Sequence, residues 1–418
     1  MYLSREATCT GQATFIVLLL VVIAVVSTPC RVAASAPAAV ETKDIRVSAE
    51  EFPIFAWDQL GSDPARYKEA WDCGFNVGGF VTPDNLDMVQ AAGLKCFVAD
   101  KLITIRENLS LSNNEIATNV QMAVSRVASH PAVLGYHLID EPDLKMIPVV
   151  ARWVRAFNDI APETIAFVNL FPYFEPRGQG TSYDDYLTSF VELAKPRVLS
   201  YDNYTLIDDG SIRPTFFLNF EKMRDISLKS GVPFWFIGLA NAHFSYAEPT
   251  YATFRFQVYT ALAYGVRGIG WFTFTSRDRG NYRLSAIDFD GRRTPTWEML
   301  RAANMQIHRL APVYLKLTSI NVFHHPDTPK GCKGIDSSRY LNDLQGKGPF
   351  VVGEFEHPDG RPYFLVVNRN LAKSTSFNVV PKTQGKIMKV SSFTGLVGPW
   401  SAENNWLAPG QGMLLFLE

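Results

Sequence analysis

The feature that most limits the folds open to this chain is a rhythm. Between Phe52 and Phe274, short apolar runs alternate with longer amphipathic ones, eight times over. The apolar runs are FPIFAW from Phe52, FNVGGF from Phe75, LKCFVA from Leu94, VLGYHLI from Val133, IAFVNL from Ile165, RVLSY from Arg197, PFWFIGLA from Pro233 and RGIGWFTF from Arg267. Their shortness and continuous apolarity suit strands buried on both faces, as in a parallel sheet. The intervening stretches, among them PARYKEAWDCG, IATNVQMAVSRVA, VVARWVRAFNDI and TFRFQVYTALAYG, carry a helical period. Several stop at Gly, and Pro64 and Pro148 suit first-turn positions. Eight strand–helix units predict an α/β chain whose residues 45–318 close into a (β/α)8 barrel, finished by a helix in TPTWEMLRAANMQIHRLAPVYLKL.

The texture then changes. PFVVGEFEHPDGRPYFLVVNRN alternates and turns on Asp-Gly, which predicts an antiparallel hairpin, and GKIMKVSSFTG and GQGMLLFLE extend it. Residues 319–418 are expected to form a C-terminal antiparallel β-sandwich. At the other end, FIVLLLVVIAVV from Phe15 is too short to span a bilayer and fits the apolar core of a signal peptide within residues 1–36. A retained N-terminal anchor is the alternative, and only then would the chain contact a membrane. Either way the body is expected to be secreted, periplasmic or at the cell surface.

Composition narrows the chemistry. Hydrophobic residues make up 47% of the 418, enough for a large core, and the net charge of −1 argues against a nucleic-acid binder, which needs a basic stripe. Of the five cysteines, Cys9 and Cys30 fall in the export segment, which leaves Cys73, Cys96 and Cys332. Cys73 and Cys96 could pair, but buried free thiols are the simpler expectation. No spacing resembles a metal site, and no cofactor is expected. Asn108-Leu-Ser and Asn203-Tyr-Thr are glycosylation sequons in a eukaryotic host.

Barrels of this kind place chemistry at the C-terminal ends of their strands. The polar residues there are Asp58, Asp100, Asp140 with Glu141, Asn169, the run Tyr201-Asp202-Asn203-Tyr204, Asn241, His243 and, beside Trp271, Thr273. Such a rim of carboxylates, amides and aromatics suits a sugar: hydroxyls need bidentate partners, and apolar sugar faces stack on rings. Cleaving a glycosidic bond needs a protonated carboxyl and a second group at the anomeric centre. Adjacent Asp140 and Glu141 cannot both ionise cheaply, so one pKa should rise. Pro142 is expected to hold Glu141 extended. Plainer roles compete: Asp143 can cap the next turn, Asp58 and Asp100 can hold loops, and His243 can be a satisfied loop histidine.

The stretch SHPAVLGYHLIDEPD resembles the strand-four signature of (β/α)8 glycoside hydrolases, in which a catalytic Glu ends the strand. AWDCGFNVGGF and AAGLKCFV resemble their second and third strands. YTALAYGVRGIGWFTF resembles strand eight of β-galactosidase-like and agarase-like members, and NNWLAPGQGMLLFLE the closing strand of their appended sandwiches. Two features depart from the largest clan. Asp140 stands where that clan has Asn, and WFIGLANAHF lacks its strand-seven Glu. The Asp-Glu pair is also similar to β-N-acetylhexosaminidases, where the Glu is the acid and the Asp orients the substrate's own acetamido group.

The resemblance implies a glycoside hydrolase acting on a polysaccharide or oligosaccharide. Its catalytic residues would be Glu141 as general acid, Asp140 and Asp202. Asp58, Tyr136, Asn169, Tyr201, Tyr204, Asn241, His243 and Trp271 would contact substrate. The missing strand-seven Glu leaves open a catalytically inactive carbohydrate-binding barrel.

Overall fold

The computed structural model describes residues 52–127, 130–175 and 182–418, so the 1–36 segment expected to direct export lies outside the described residues. Eight strands close into a barrel in chain order: β1 (Ile54–Ala56), β2 (Val77–Val81), β3 (Lys95–Val98), β4 (Val133–Asp140), β5 (Ile165–Leu170), β6 (Leu199–Asp202), β7 (Phe234–Leu239) and β8 (Ile269–Phe272). All pair in parallel, and β8 closes the ring on β1 with Ile269 opposite Ile54. Around them run α1 (Pro64–Asp72), α2 (Leu86–Ala91), α3 (Asn113–Val127), α4 (Ile147–Ile160), α5 (Tyr183–Ala194), α6 (Phe216–Ser230), α7 (Tyr251–Ala263) and α8 (Pro295–Tyr314). Their ends follow local chemistry. Asp63 caps α1 ahead of Pro64, Ser182 and Asp185 cap α5 reciprocally, and Gly231 ends α6 at φ 72°.

Side chains alternate between the barrel interior and the helix layer, and this parity decides which residues can meet a ligand. The interior is unusually aromatic: Phe55, Trp57, Phe80, Phe97, Phe167 and Trp235 form one cluster, with Phe97 and Phe167 stacked at 4.5 Å. Such bulk needs room opposite. A Cβ on Gly270 would lie 2.4 Å from the Phe55 ring, so only glycine fits there.

The C-terminal strands are β9 (Thr318–His325), β10 (Leu341–Gly346), β11 (Phe350–Glu356), β12 (Pro362–Asn368), β13 (Thr375–Pro381), β14 (Ile387–Val390), β15 (Val397–Pro399), β16 (Trp406–Leu407) and β17 (Gly412–Leu417). They form a six-stranded sheet, ordered β15-β14-β17-β12-β11-β9, and a three-stranded sheet, β10-β13-β16. The hairpin expected around Asp359-Gly360 is β11–β12, paired from Phe350–Asn368 to Glu356–Pro362.

The larger sheet is buried on both faces. Phe364 and Val366 of β12 pack in the inter-sheet core, while Tyr363, Leu365 and Val367 join the core of the barrel's helix layer. Alternation there is between two apolar partners, not between core and water. Helix α7 lies against this sheet and the barrel at once and is buried nearly all round, as a helix without a polar face must be. Gly353 permits the approach: a Cβ there would be 2.2 Å from the Ala263 carbonyl oxygen. Among the described residues no helix is long and apolar enough to cross a membrane.

Candidate active site

The tip of β4 is clamped from three sides. The Glu141 amide donates to the Asn169 carbonyl at 2.9 Å, and Arg106 donates to the Asp140 and Glu141 carbonyls at 2.7 and 3.2 Å. The Tyr186 hydroxyl donates to the Pro142 carbonyl at 2.8 Å. Within this clamp Glu141 takes φ +44°, not the extended backbone that a following proline favours. A non-glycine residue in this region is strained and persists only where its surroundings hold it, a recurrent property of functional sites.

Asn169, one strand over, organises the acids. Its Oδ1 accepts from the Ser200 hydroxyl at 3.0 Å, which turns its Nδ2 toward the mouth. The Nδ2 donates to Asp140 at 3.1 Å and to Asp202 at 2.8 Å. Two acceptors on the two hydrogens of one amide stand about 5 Å apart, from the trigonal geometry of the donor. Asp140, Asn169, Ser200 and Asp202 therefore share the interior face of adjacent strands, with Glu141 at the tip.

All three carboxyls hold their protons more tightly than free ones. Burial, then the Asp140 charge, pushes Glu141 up to about 7, against a downward pull from Arg106. Burial, then Glu141 and Asp140, pushes Asp202 up to about 8. Asp140 is raised by burial and lowered by Asn169, Arg106 and Arg277, and water reaches it from the mouth, which tempers the shift. Together the trio keeps at least one proton near neutral pH.

The rest of the predicted rim divides. Tyr204 faces the trio, whose charges add to burial in raising its phenol, and its ring lies 5.3 Å from Phe272 and 6.0 Å from His243. Asn241 is 1% exposed and turned inward on other side chains, donating to the Thr273 hydroxyl and accepting from His243 Nδ1, both at 2.8 Å. That bond puts the His243 proton on Nδ1 and leaves Nε2 an acceptor. Burial and three arginines hold His243 neutral, at about 4. Its ring stacks on Tyr282 at 4.5 Å and 8°, beside exposed Phe244.

Four expectations for substrate contact are corrected. Tyr136, Tyr201 and Trp271 are 0% exposed and point into the helix layer. Tyr136 packs on Phe157 of α4, Tyr201 on Phe220 of α6, and Trp271 on Phe254 of α7 while donating to Asn304. With Asp202 and Phe272 facing in, the period of two turns Tyr201 and Trp271 out. Asp58 is inside, but its carboxylate accepts from the Phe274 and Thr275 amides at 2.6 and 3.1 Å and lies 3.8 Å from Arg277, so it holds the loop after β8. Burial raises it to about 6.

Asp100 and Asp143 take the plainer roles, the first bound to Leu102 and Arg126 and the second to the Met146 amide. Cys73 and Cys96 are buried free thiols. Asn203 is 7% exposed, which leaves no room for a glycan on its side chain.

Several mouth residues were not anticipated. Arg277 lies 4.5 Å over the Phe272 ring and donates to the Trp57 carbonyl. His137 sits beneath the acids, 4.1 Å from Phe80 and 6.0 Å from Trp57. Counting by twos from Asp140 does not reach His137, because a register shift falls between His137 and Ile139. Arg106 comes from a single 3-10 turn, Ile105–Glu107, and Arg277 from the loop after β8, where no long period operates.

No protein-family model matches the chain, and none of the curated proteins matches it. Solved structures do. A glycoside hydrolase of family 5 from Bacteroides vulgatus superposes over 88% of this chain and 88% of its own, with TM-score 0.55 and 12% identity. Another glycoside hydrolase superposes over 88% and 92%, with TM-score 0.54 and 11% identity. At that identity the likeness is one of fold, and it extends over a share of the chain that takes in the C-terminal sheets as well as the closed barrel.

Proposed function

We propose that this protein is an exported glycoside hydrolase acting on a polysaccharide or its oligomers. The observation that carries this reading is the single amide of Asn169 holding Asp140 and Asp202 beside Glu141, in one interior corner of a barrel mouth. Glu141, raised to about 7, keeps a proton to give to the leaving glycosidic oxygen. Asp202 is the second carboxylate, at the anomeric centre, and Asp140 orients substrate and sharpens the Glu141 shift. Tyr204, Tyr282 and Phe272 supply ring faces for sugar, with buried His243 stacked behind Tyr282 to hold it in place. Export rests on the apolar run from Phe15.

A catalytically inactive carbohydrate-binding barrel is favoured by one observation. The end of β7 offers Ala240 and Asn241, and Asn241 is committed to Thr273 and His243. Turnover of a panel of aryl glycosides and polysaccharides decides between them, with Glu141→Gln as control. Hydrolysis that Glu141→Gln abolishes supports the enzyme. Unchanged hydrolysis in that variant removes the acid assignment, and sugar binding without turnover in the wild type selects the binding barrel.

A further inference from the structure

Away from the mouth, where the barrel's helix layer meets the first C-terminal strand, four donor atoms converge. Glu221 comes from α6, Tyr264 from the end of α7, His324 from β9, and Cys332 from the loop after β9. Ligand atoms of Glu221, His324 and Cys332 all lie within 4.8 Å of one another. The Tyr264 hydroxyl stands 3.2 Å from Glu221 Oε1, 2.9 Å from His324 Nε2 and 3.9 Å from Cys332 Sγ. Around a tetrahedral zinc ion, with bonds of about 2.0–2.3 Å, ligand atoms are separated by roughly 3.3–3.8 Å. The observed spacings bracket that range.

As a purely hydrogen-bonded group the cluster is poorly satisfied. The phenol has one proton for the Glu221 carboxylate and the His324 imidazole, while the Cys332 thiol stands at 3.9 Å, where either group could donate. No ion pair among the described residues engages Glu221, on which the Arg224 and Lys333 charges act at longer range. The neighbouring cations hydrogen-bond elsewhere and reach the cluster only through their charge: Arg224 Nε donates to Ser319, Arg369 to the Asp327 carbonyl, and Lys333 Nζ lies 3.5 Å from Asn321. A cation at the centre would satisfy a carboxylate, an imidazole and a sulfur at once.

We propose that Glu221, His324 and Cys332 form a structural site for a borderline-soft divalent cation such as Zn2+, with the Tyr264 hydroxyl at the fourth corner. Binding forms a metal–thiolate bond and releases the Cys332 thiol proton to solvent. The carboxylate and thiolate then balance the two positive charges. Half-exposed Glu221 and Cys332 give the ion a way in, while buried His324 and Tyr264 close the inner side. The ion would tie the helix layer to β9 and the loop that follows it. Because each ligand lies on a different element, no spacing in the sequence announces the site. Nothing in this proposal depends on the glycosidase assignment.

The test is titration of the metal-depleted full chain with Co2+, followed by the sulfur-to-cobalt charge-transfer absorption. One equivalent should saturate the band, Cys332→Ser should lose it, and Glu221→Gln should weaken binding by at least about tenfold, the usual scale for a disturbed site. Zn2+ at about 100 times its dissociation constant should raise the wild-type Tm by about 3 °C and leave Cys332→Ser unmoved. Absence of the band in the wild type overturns the proposal. So does a band, or a Zn2+-dependent rise in Tm, that persists in Cys332→Ser. Should Cys332→Ser fail to fold, Glu221→Gln decides by the same two readouts.

Discussion

Two carboxylates withdrawn from bulk water, one in each half of the molecule, live in opposite circumstances. Glu354, on β11, is 0% exposed and surrounded by donors: the Ser338 hydroxyl, Asn321 Nδ2 at 3.1 Å, and the Arg339 and Tyr340 amides at 2.9 and 3.1 Å. Asp202, at the tip of β6, has a single side-chain donor in Asn169 and two other acids for neighbours. Glu354 therefore behaves as an anchor that pulls β9 and the chain before β10 onto the sheet. Asp202 and its neighbours resist ionisation, so they hold protons at pH values where ordinary carboxyls have lost theirs. The difference lies in what each carboxyl faces, since removal from water penalises both. A fold that supplies four donors has built a structural element; one that supplies three acids and one amide has kept a reactive one.

The contrast can be broken most decisively at the mouth. Glu141→Gln should lower glycoside turnover by about 10²–10⁴-fold, the usual worth of a general acid, with stability little changed. Glu141 and Asp202 raise each other and titrate as a coupled set, so wild-type turnover should peak where one of them is ionised and the other protonated, and fall as pH climbs past about 8, where the last proton leaves. A pH–rate profile flat across that range, or turnover that survives the substitution, would place the chemistry elsewhere.

On the other side, Glu354→Ala leaves four donors without their acceptor and should cost about 3–5 kcal/mol in denaturant unfolding, while turnover per folded molecule stays the same. A loss under 1 kcal/mol would mean that the anchor is dispensable.

Asp202→Asn sharpens the comparison through its sign. An aspartate raised to about 8 binds its proton more tightly folded than unfolded. The folded state thus loses stability as pH rises from the unfolded value near ~4 toward 8. The Asn variant should be the more stable protein at pH 8, by about 2 kcal/mol, with the advantage gone below pH 4 and activity lost throughout. A variant less stable than wild type at pH 8 would show that Asp202 is held as an anion.

The smallest effect is expected at Tyr136. Its hydroxyl has no partner and its ring packs on Phe157, so Tyr136→Phe should leave KM and turnover within about twofold. A large rise in KM would return it to the cleft.

The barrel and the C-terminal hairpin were legible in the residues because both rest on local periodicity. IAFVNL becomes β5 without a residue's difference, and the Asp-Gly turn of the β11–β12 hairpin falls where it was expected. The crowding of acids at the β4 tip was legible for the same reason, since residues that end adjacent strands must end near one another. Which rim residues face inward was less so. Tyr201, next to Asp202, and Trp271, next to Phe272, could have been assigned outward by parity alone, but Tyr136 and His137 lie beside a register shift that sequence does not reveal.

What sequence alone determined is the strand–helix rhythm, the hairpin and the gathering of carboxyls at one end. These depend on neighbours a few residues apart. Only the tertiary structure decided that Asn169 would bind two acids at once, that Arg106 would clamp the strained Glu141, and that Glu221, His324 and Cys332 would meet. Hydrogen bonds and charges act over a few ångströms of space, and folding brings together residues far apart in the chain, as with Asp140 and Asn169, 29 positions apart, or Glu221 and His324, 103 apart.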